Sequence, residues 1–220
     1  MSDAGPGWLS SPTAFPPDGL TSSPQPPVAP ASDRHGLLRR ATAPLHARAE
    51  ALADALGART RQAGYRRFLR AMYRFHRAAE SALARQRADG APAAWDAAGA
   101  RLIAADLDAL GEPLPPAAPA LDGDGPGRGL GIRYVIEGSS LGARVLLPAV
   151  RALAMPEAGA TRFLAAHAAD AGRWRRFQAL LRDADLDTTQ ERLLAIGAVD
   201  AFGSVVHSLE EERREAMRHG

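Results

Sequence analysis

From residue 37 onward, apolar residues return every three or four positions. Leu37, Leu38, Ala41, Leu45, Ala49, Leu52 and Leu56 make the first series, and Gly57 stands where a helix would stop. Pro44 falls inside this series. It either kinks the helix by removing one backbone bond or marks its true start, with Thr42 as N-cap. A second series, Tyr65, Phe68, Leu69, Met72, Phe75, Ala79 and Leu83, predicts a helix over 60–87. "ADGAP" ends it, and further helices are expected over 95–110, 130–153, 158–181 and 188–215. The stretch "GEPLPPAAPALDGDGPGRG" between the third and fourth is a Pro/Gly connection, too long for a tight turn. No repeat and no second domain emerges, so the expected architecture is a single all-α bundle over 34–220. The first 33 residues show no apolar period and are rich in Pro, Ser and Gly, which predicts a disordered tail.

Composition adds to this picture in three ways. Hydrophobic residues make up 46% of the 220, mostly Ala and Leu rather than Val, Ile and Thr, which favours helix and allows a full core. The absence of cysteine excludes disulfides, thiolate metal sites and cysteine nucleophiles. All 27 basic residues are arginine, since the chain contains no lysine, and the formal net charge is only +2. This fits a GC-rich coding bias, with a preference for acidic partners as the second reading. No basic segment leads into an apolar one at the N-terminus, and no apolar run approaches the roughly 20 residues that span a bilayer. A soluble, cytoplasmic protein is expected, with no membrane partner. Adjacent arginines in "WRRFQALLR" read as the wet face of a helix rather than a nucleic-acid contact.

Two constellations carry chemistry. In "RRATAPLHARAE", His46 is followed four residues later by Glu50, which puts both on one helix face. The carboxylate could accept from the imidazole Nδ1–H and leave Nε2 as an oriented lone pair, the arrangement of a metal-bound histidine. A solvent-facing His–Glu pair would have the same spacing. In "EGSSLGA", Gly138 and Gly142 are also four apart, so one side of a helix carries no side chain there. Each mid-helix glycine costs about 1 kcal/mol against alanine, so something must approach the backbone closely: another helix, or a flat ligand such as a porphyrin. The other histidines have plainer readings. His35 and His219 should be solvated, His167 and His207 partly exposed, and His76, at the same spacing from Glu80, lies in a core-forming stretch.

Taken in order, "LRRATAPLHARAE" (38–50) and "YVIEGSSLGARVL" (134–146) resemble the biliverdin-producing heme oxygenases, especially the bacterial branch, of bacteriophytochrome-associated or iron-acquisition type. "YRRFLRAMYRFHRAAE", "RLIAADLDAL" and "AVDAFGSVVHSLEE" are similar to further segments of that family, so the resemblance spans roughly residues 36–215. It implies a heme-oxygenase-like helical bundle in which His46 is the axial ligand of heme iron and Glu50 its hydrogen-bond partner. It implies that Gly138 and Gly142 let the distal helix lie against the heme, with Ser139 near the oxygen side. Arg175, and more loosely Arg39, would meet the heme propionates. Ser140 stands near the position where the mammalian branch has an aspartate that orders water.

The implied reaction takes heme as substrate and cofactor, and opens it with O2 and electrons to biliverdin, iron and carbon monoxide. The electrons would come from an external donor such as a ferredoxin or a reductase, because no dinucleotide fingerprint is present. The biliverdin could supply a bacteriophytochrome. A heme-binding or heme-sensing protein of the same fold that lacks turnover is the alternative.

Overall fold

The computed structural model describes residues 33–88, 98–153 and 160–218. Nearly all of the predicted tail, Trp95 and His219 lie outside them. Among the described residues there are seven helices and no strand: α1 (Arg34–Leu56), α2 (Gln62–Ala88), α3 (Gly99–Ala109), α4 (Gly125–Arg151), α5 (Arg162–Ala169), α6 (Arg173–Asp183) and α7 (Thr188–Arg218). The all-α expectation holds.

The first helix begins well before Pro44. Asp33 caps it, accepting from the Gly36 amide at 2.8 Å, and Gly57 ends it in the left-handed region at φ 76°. Thr42 is not a cap: its hydroxyl donates to the Leu38 carbonyl one turn back, and the helix runs through Pro44. The predicted stripe of α2 is buried at Tyr65, Leu69, Met72, Phe75, Ala79 and Leu83.

Two expectations need correction. The fourth helix starts at Gly125, so the end of the supposed connection is helical; Pro126 fits its first turn, and Gly127 and Gly131 let it press on α7. A Cβ at Gly131 would sit 2.3 Å from the Leu194 carbonyl oxygen. The predicted fifth helix is two helices, broken at 170–172, where the Asp170 carboxylate accepts from the Gly172 amide. That local bond competes with the helical one.

Helix α7 is the axis. It packs along α1, α2 and α4, while α1 and α4 meet through the side chains of His35, Thr42 and Tyr134. Its length and composition would allow it to cross a membrane, contrary to the expectation of no such run, but Leu194, Ala198, Ala201, Val205 and Leu209 are buried in this fold as a core stripe. Two α2 arginines fix its register against α2. Arg70 and Arg74 each pair with both Glu212 and Glu215, at 2.9 to 3.1 Å, and Glu212 is 1% exposed. At the other end, buried Arg34 donates to Glu191 and to the Leu181 and Ala184 carbonyls, all at 2.7 Å, joining α1 to α6 and α7.

Candidate functional site

Helices α1 and α4 both run parallel to α7. Arg34 of α1 meets Glu191, and His46 meets Phe202. On α4, Gly127 meets Gln190, and Gly131 meets Leu194 and Ala198. Continuing that register by the seven residues from Gly131 brings Gly138 to about the level of Phe202 and Gly203. By that register His46 and Gly138 fall at about the same level along α7. Beside Gly203 a Cβ would meet nothing within 4 Å. The space between α1 and α4, over Phe202 and Gly203 of α7, is the candidate cleft.

On the α1 wall, the His46 side chain is 42% exposed and the ring packs edge-on to Phe202, centroids 5.6 Å apart. Its Nδ1 lies 3.5 Å from Glu50 Oε2, at the far edge of hydrogen-bond range. The second oxygen, Oε1, is buried without a partner. The pair predicted from spacing is thus together, and its imidazole neither is sealed in the core nor points wholly into water.

On the α4 wall, the neighbour of Gly138 is another ring. A Cβ there would lie 3.7 Å from Cζ3 of Trp174. Trp174 stacks on Phe177 and meets Tyr134 and His35 at centroid separations of 5.6 and 5.7 Å. These rings close the end of the cleft nearer the N-terminus of α1. His35 was expected to be solvated; it is instead part of this aromatic group. Tyr134 is buried, which raises its hydroxyl above the usual range, against a hydrogen bond with Thr42 that lowers it. Ser139 and Ser140 each donate a 2.7 Å bond to a carbonyl of their own helix, at Ile136 and Glu137. Each hydroxyl keeps lone pairs for accepting. Arg39 and Arg175 are both exposed, on α1 and α6.

Sequence reasoning missed Phe202, Trp174 and Tyr134, whose partners lie far along the chain. It also missed His167. This residue, expected to be partly exposed, is 3% exposed, and burial, then the charges of His76 and Arg173, push its pKa down to about 3. His76 is buried as expected, with Nδ1 3.4 Å from Glu80 Oε1.

The candidate cleft has an imidazole on its α1 side, glycine main chain on its α4 side and aromatic rings near the start of α1. Comparison with known proteins points the same way. The chain matches no protein-family model. It is 34% identical over 195 residues to heme oxygenase PigA of Pseudomonas aeruginosa, covering 80% of this chain and 92% of that one. Its fold is similar to the NO- and CO-bound heme oxygenase of Neisseria meningitidis, with a TM-score of 0.68 and 26% identity over 81% of this chain and 91% of that one. At that identity and coverage, the chain belongs to the heme oxygenase family.

Proposed function

We propose that the protein opens heme to biliverdin, releasing iron and carbon monoxide, with the heme held between α1 and α4. What supports this reading best is the 34% identity to heme oxygenase PigA over 80% of the chain, together with the half-exposed His46–Glu50 pair on α1. Bound heme supplies the oxygen-binding iron and is itself the substrate.

The chain's own residues bind and orient. Glu50 would accept the Nδ1–H of His46 and leave Nε2 as the lone pair that would hold the heme iron. Gly138 and Gly142 let the macrocycle approach the backbone of α4, and the Ser139 hydroxyl remains able to accept a hydrogen bond on that side. Trp174, Tyr134 and His35 exclude water from one end. Exposed Arg39 and Arg175 meet the propionates. Electrons come from an acidic ferredoxin or reductase docked on the arginine-rich surface, and the biliverdin passes to an acceptor such as a bacteriophytochrome. The cytoplasm, which provides such donors, is the location that suits this reading.

The test is heme addition followed by a reductant and O2. Loss of the Soret band with growth of a broad red biliverdin absorption is expected. A stable Soret band under turnover conditions would instead make the protein a heme carrier. The His46→Ala variant should lose the axial signature and ring opening together; a variant indistinguishable from wild type in both would remove His46 from the site.

A further inference from the structure

One soft torsion decides where the nitrogens of His46 point. The α1 backbone fixes its Cβ, and χ1 is confined to staggered wells, but χ2 of a histidine is broad and roughly two-fold. A half-turn about χ2 exchanges Nδ1 with Cδ2 and Nε2 with Cε1, so neighbours must decide which edge carries which nitrogen. The His46 side chain is 42% exposed, and over that surface nothing restrains it. Two neighbours act on the ring itself, Glu50 and Phe202.

Glu50 alone is a weak restraint. Its Oε2 lies 3.5 Å from Nδ1, at the far edge of hydrogen-bond range, and Oε1 has no partner to steady the carboxylate. A flexible side chain held on neither oxygen can follow the imidazole as it turns. Phe202 is held differently. It comes from another helix, α7, where Ala201, Val205 and Val206 beside it are buried. Its ring meets the imidazole edge-on, with centroids 5.6 Å apart and planes at 62°. That separation and tilt fall in the range, about 4.5–7 Å and edge-to-face, in which flat rings attract. Rotation of the imidazole about χ2 would give up this contact.

We propose that Phe202 is a positioning residue for His46: its ring holds the imidazole against rotation, so that Nδ1 stays on Glu50 and Nε2 is presented on the opposite edge. The restraint belongs to the chain before anything binds. Its value for ligation rests on the proposed function, in which His46 holds the heme iron. A nitrogen already oriented loses less freedom when it takes a ligand, and its partner on the other nitrogen keeps it a strong donor. Leucine at position 202 would keep the site apolar but offer no ring, whereas tyrosine would keep the ring. Phe202 is half-buried, so both exchanges leave the core of α7 in place.

The test begins with heme-free full-length protein in NMR at about pH 8, where free imidazole is neutral. His46 signals are assigned by their loss in His46→Ala. Wild type should show nuclear Overhauser contacts between the two rings, His46 protons shifted by the ring current of Phe202, and the nitrogen shifts of an Nδ1–H tautomer. Phe202→Leu should lose the ring-current shift and move the tautomer towards Nε2–H; Phe202→Tyr should restore both. With heme added, Phe202→Leu should bind about 2- to 10-fold more weakly and broaden the iron–imidazole stretch of the ferrous complex, with Phe202→Tyr again like wild type. Missing ring-to-ring contacts in wild type would overturn the proposal, and that reading needs no variant to fold. A leucine variant with an unchanged tautomer, or with unchanged heme affinity and stretch, would overturn it too. If the heme-free signals behave as expected but His46→Ala keeps the iron–imidazole stretch, the proposed function fails at His46 while the restraint stands.

Discussion

At Gly138 the cleft depends on what is missing from a side chain. Alanine there would place its Cβ 3.7 Å from Trp174, an ordinary contact. Helix propensity alone makes Gly138→Ala stabilising by about 0.5–1 kcal/mol. Gly138→Leu should fold equally well yet fill the space a macrocycle needs. Thermal melts and heme titration separate the two effects: unchanged or higher Tm in both variants, with heme affinity lost in the leucine variant alone. Full heme affinity in Gly138→Leu would mean that the macrocycle does not lie against α4. His46 and Glu50 were legible because an i,i+4 pair advertises itself within one turn. Phe202 was not, because a lone aromatic in "AVDAFGSVV" looks like core until α7 is laid beside α1.

The elements show where local pattern stops being informative. Leucine spacing and Gly57 define α1, and the stripe from Tyr65 to Leu83 defines α2, because each pattern lies within its own helix. The start of α4 could not be read this way. "GPGRG" has the composition of a loop, and it is helical because α7 accepts a helix bare enough to touch its backbone. That contact is testable. Gly131→Ala would press a methyl group against the Leu194 carbonyl, 2.3 Å away, and overpacking of this kind costs about 1–3 kcal/mol. A Tm lowered by several degrees is expected by calorimetry, although alanine is the better helix former; a raised Tm would show that α4 and α7 can separate freely. The division of α5 from α6 was equally hidden, since no proline marks it and Gly172 alone is a weak stop.

For the molecule as a whole, the buried His167 links stability to acidity. Its pKa lies near 3 in the fold against 6.5 for an unperturbed imidazole, so the unfolded chain binds the extra proton over that window. Its contribution is therefore complete above about pH 6.5 and is lost as pH falls towards 3, at up to about 1.4 kcal/mol per unit. His76 from α2 and Arg173 from α6, itself paired with Glu137 of α4, face the same ring and oppose its charging. Melting curves between pH 7 and 4 should show this loss, flattened in His167→Gln; identical slopes would assign the acid sensitivity to other groups.

The three-residue interruption at 170–172 has one more consequence. It sets the rotation of α6, so that consecutive residues serve two different contacts with α4: Arg173 bonds Glu137 near buried His167, and Trp174 covers Gly138. Adding or deleting one residue in that corner would turn α6 by about 100° and take both side chains from their posts at once. The corner's length is thus constrained from both directions, and change to its chemistry is tolerable only where its count is kept.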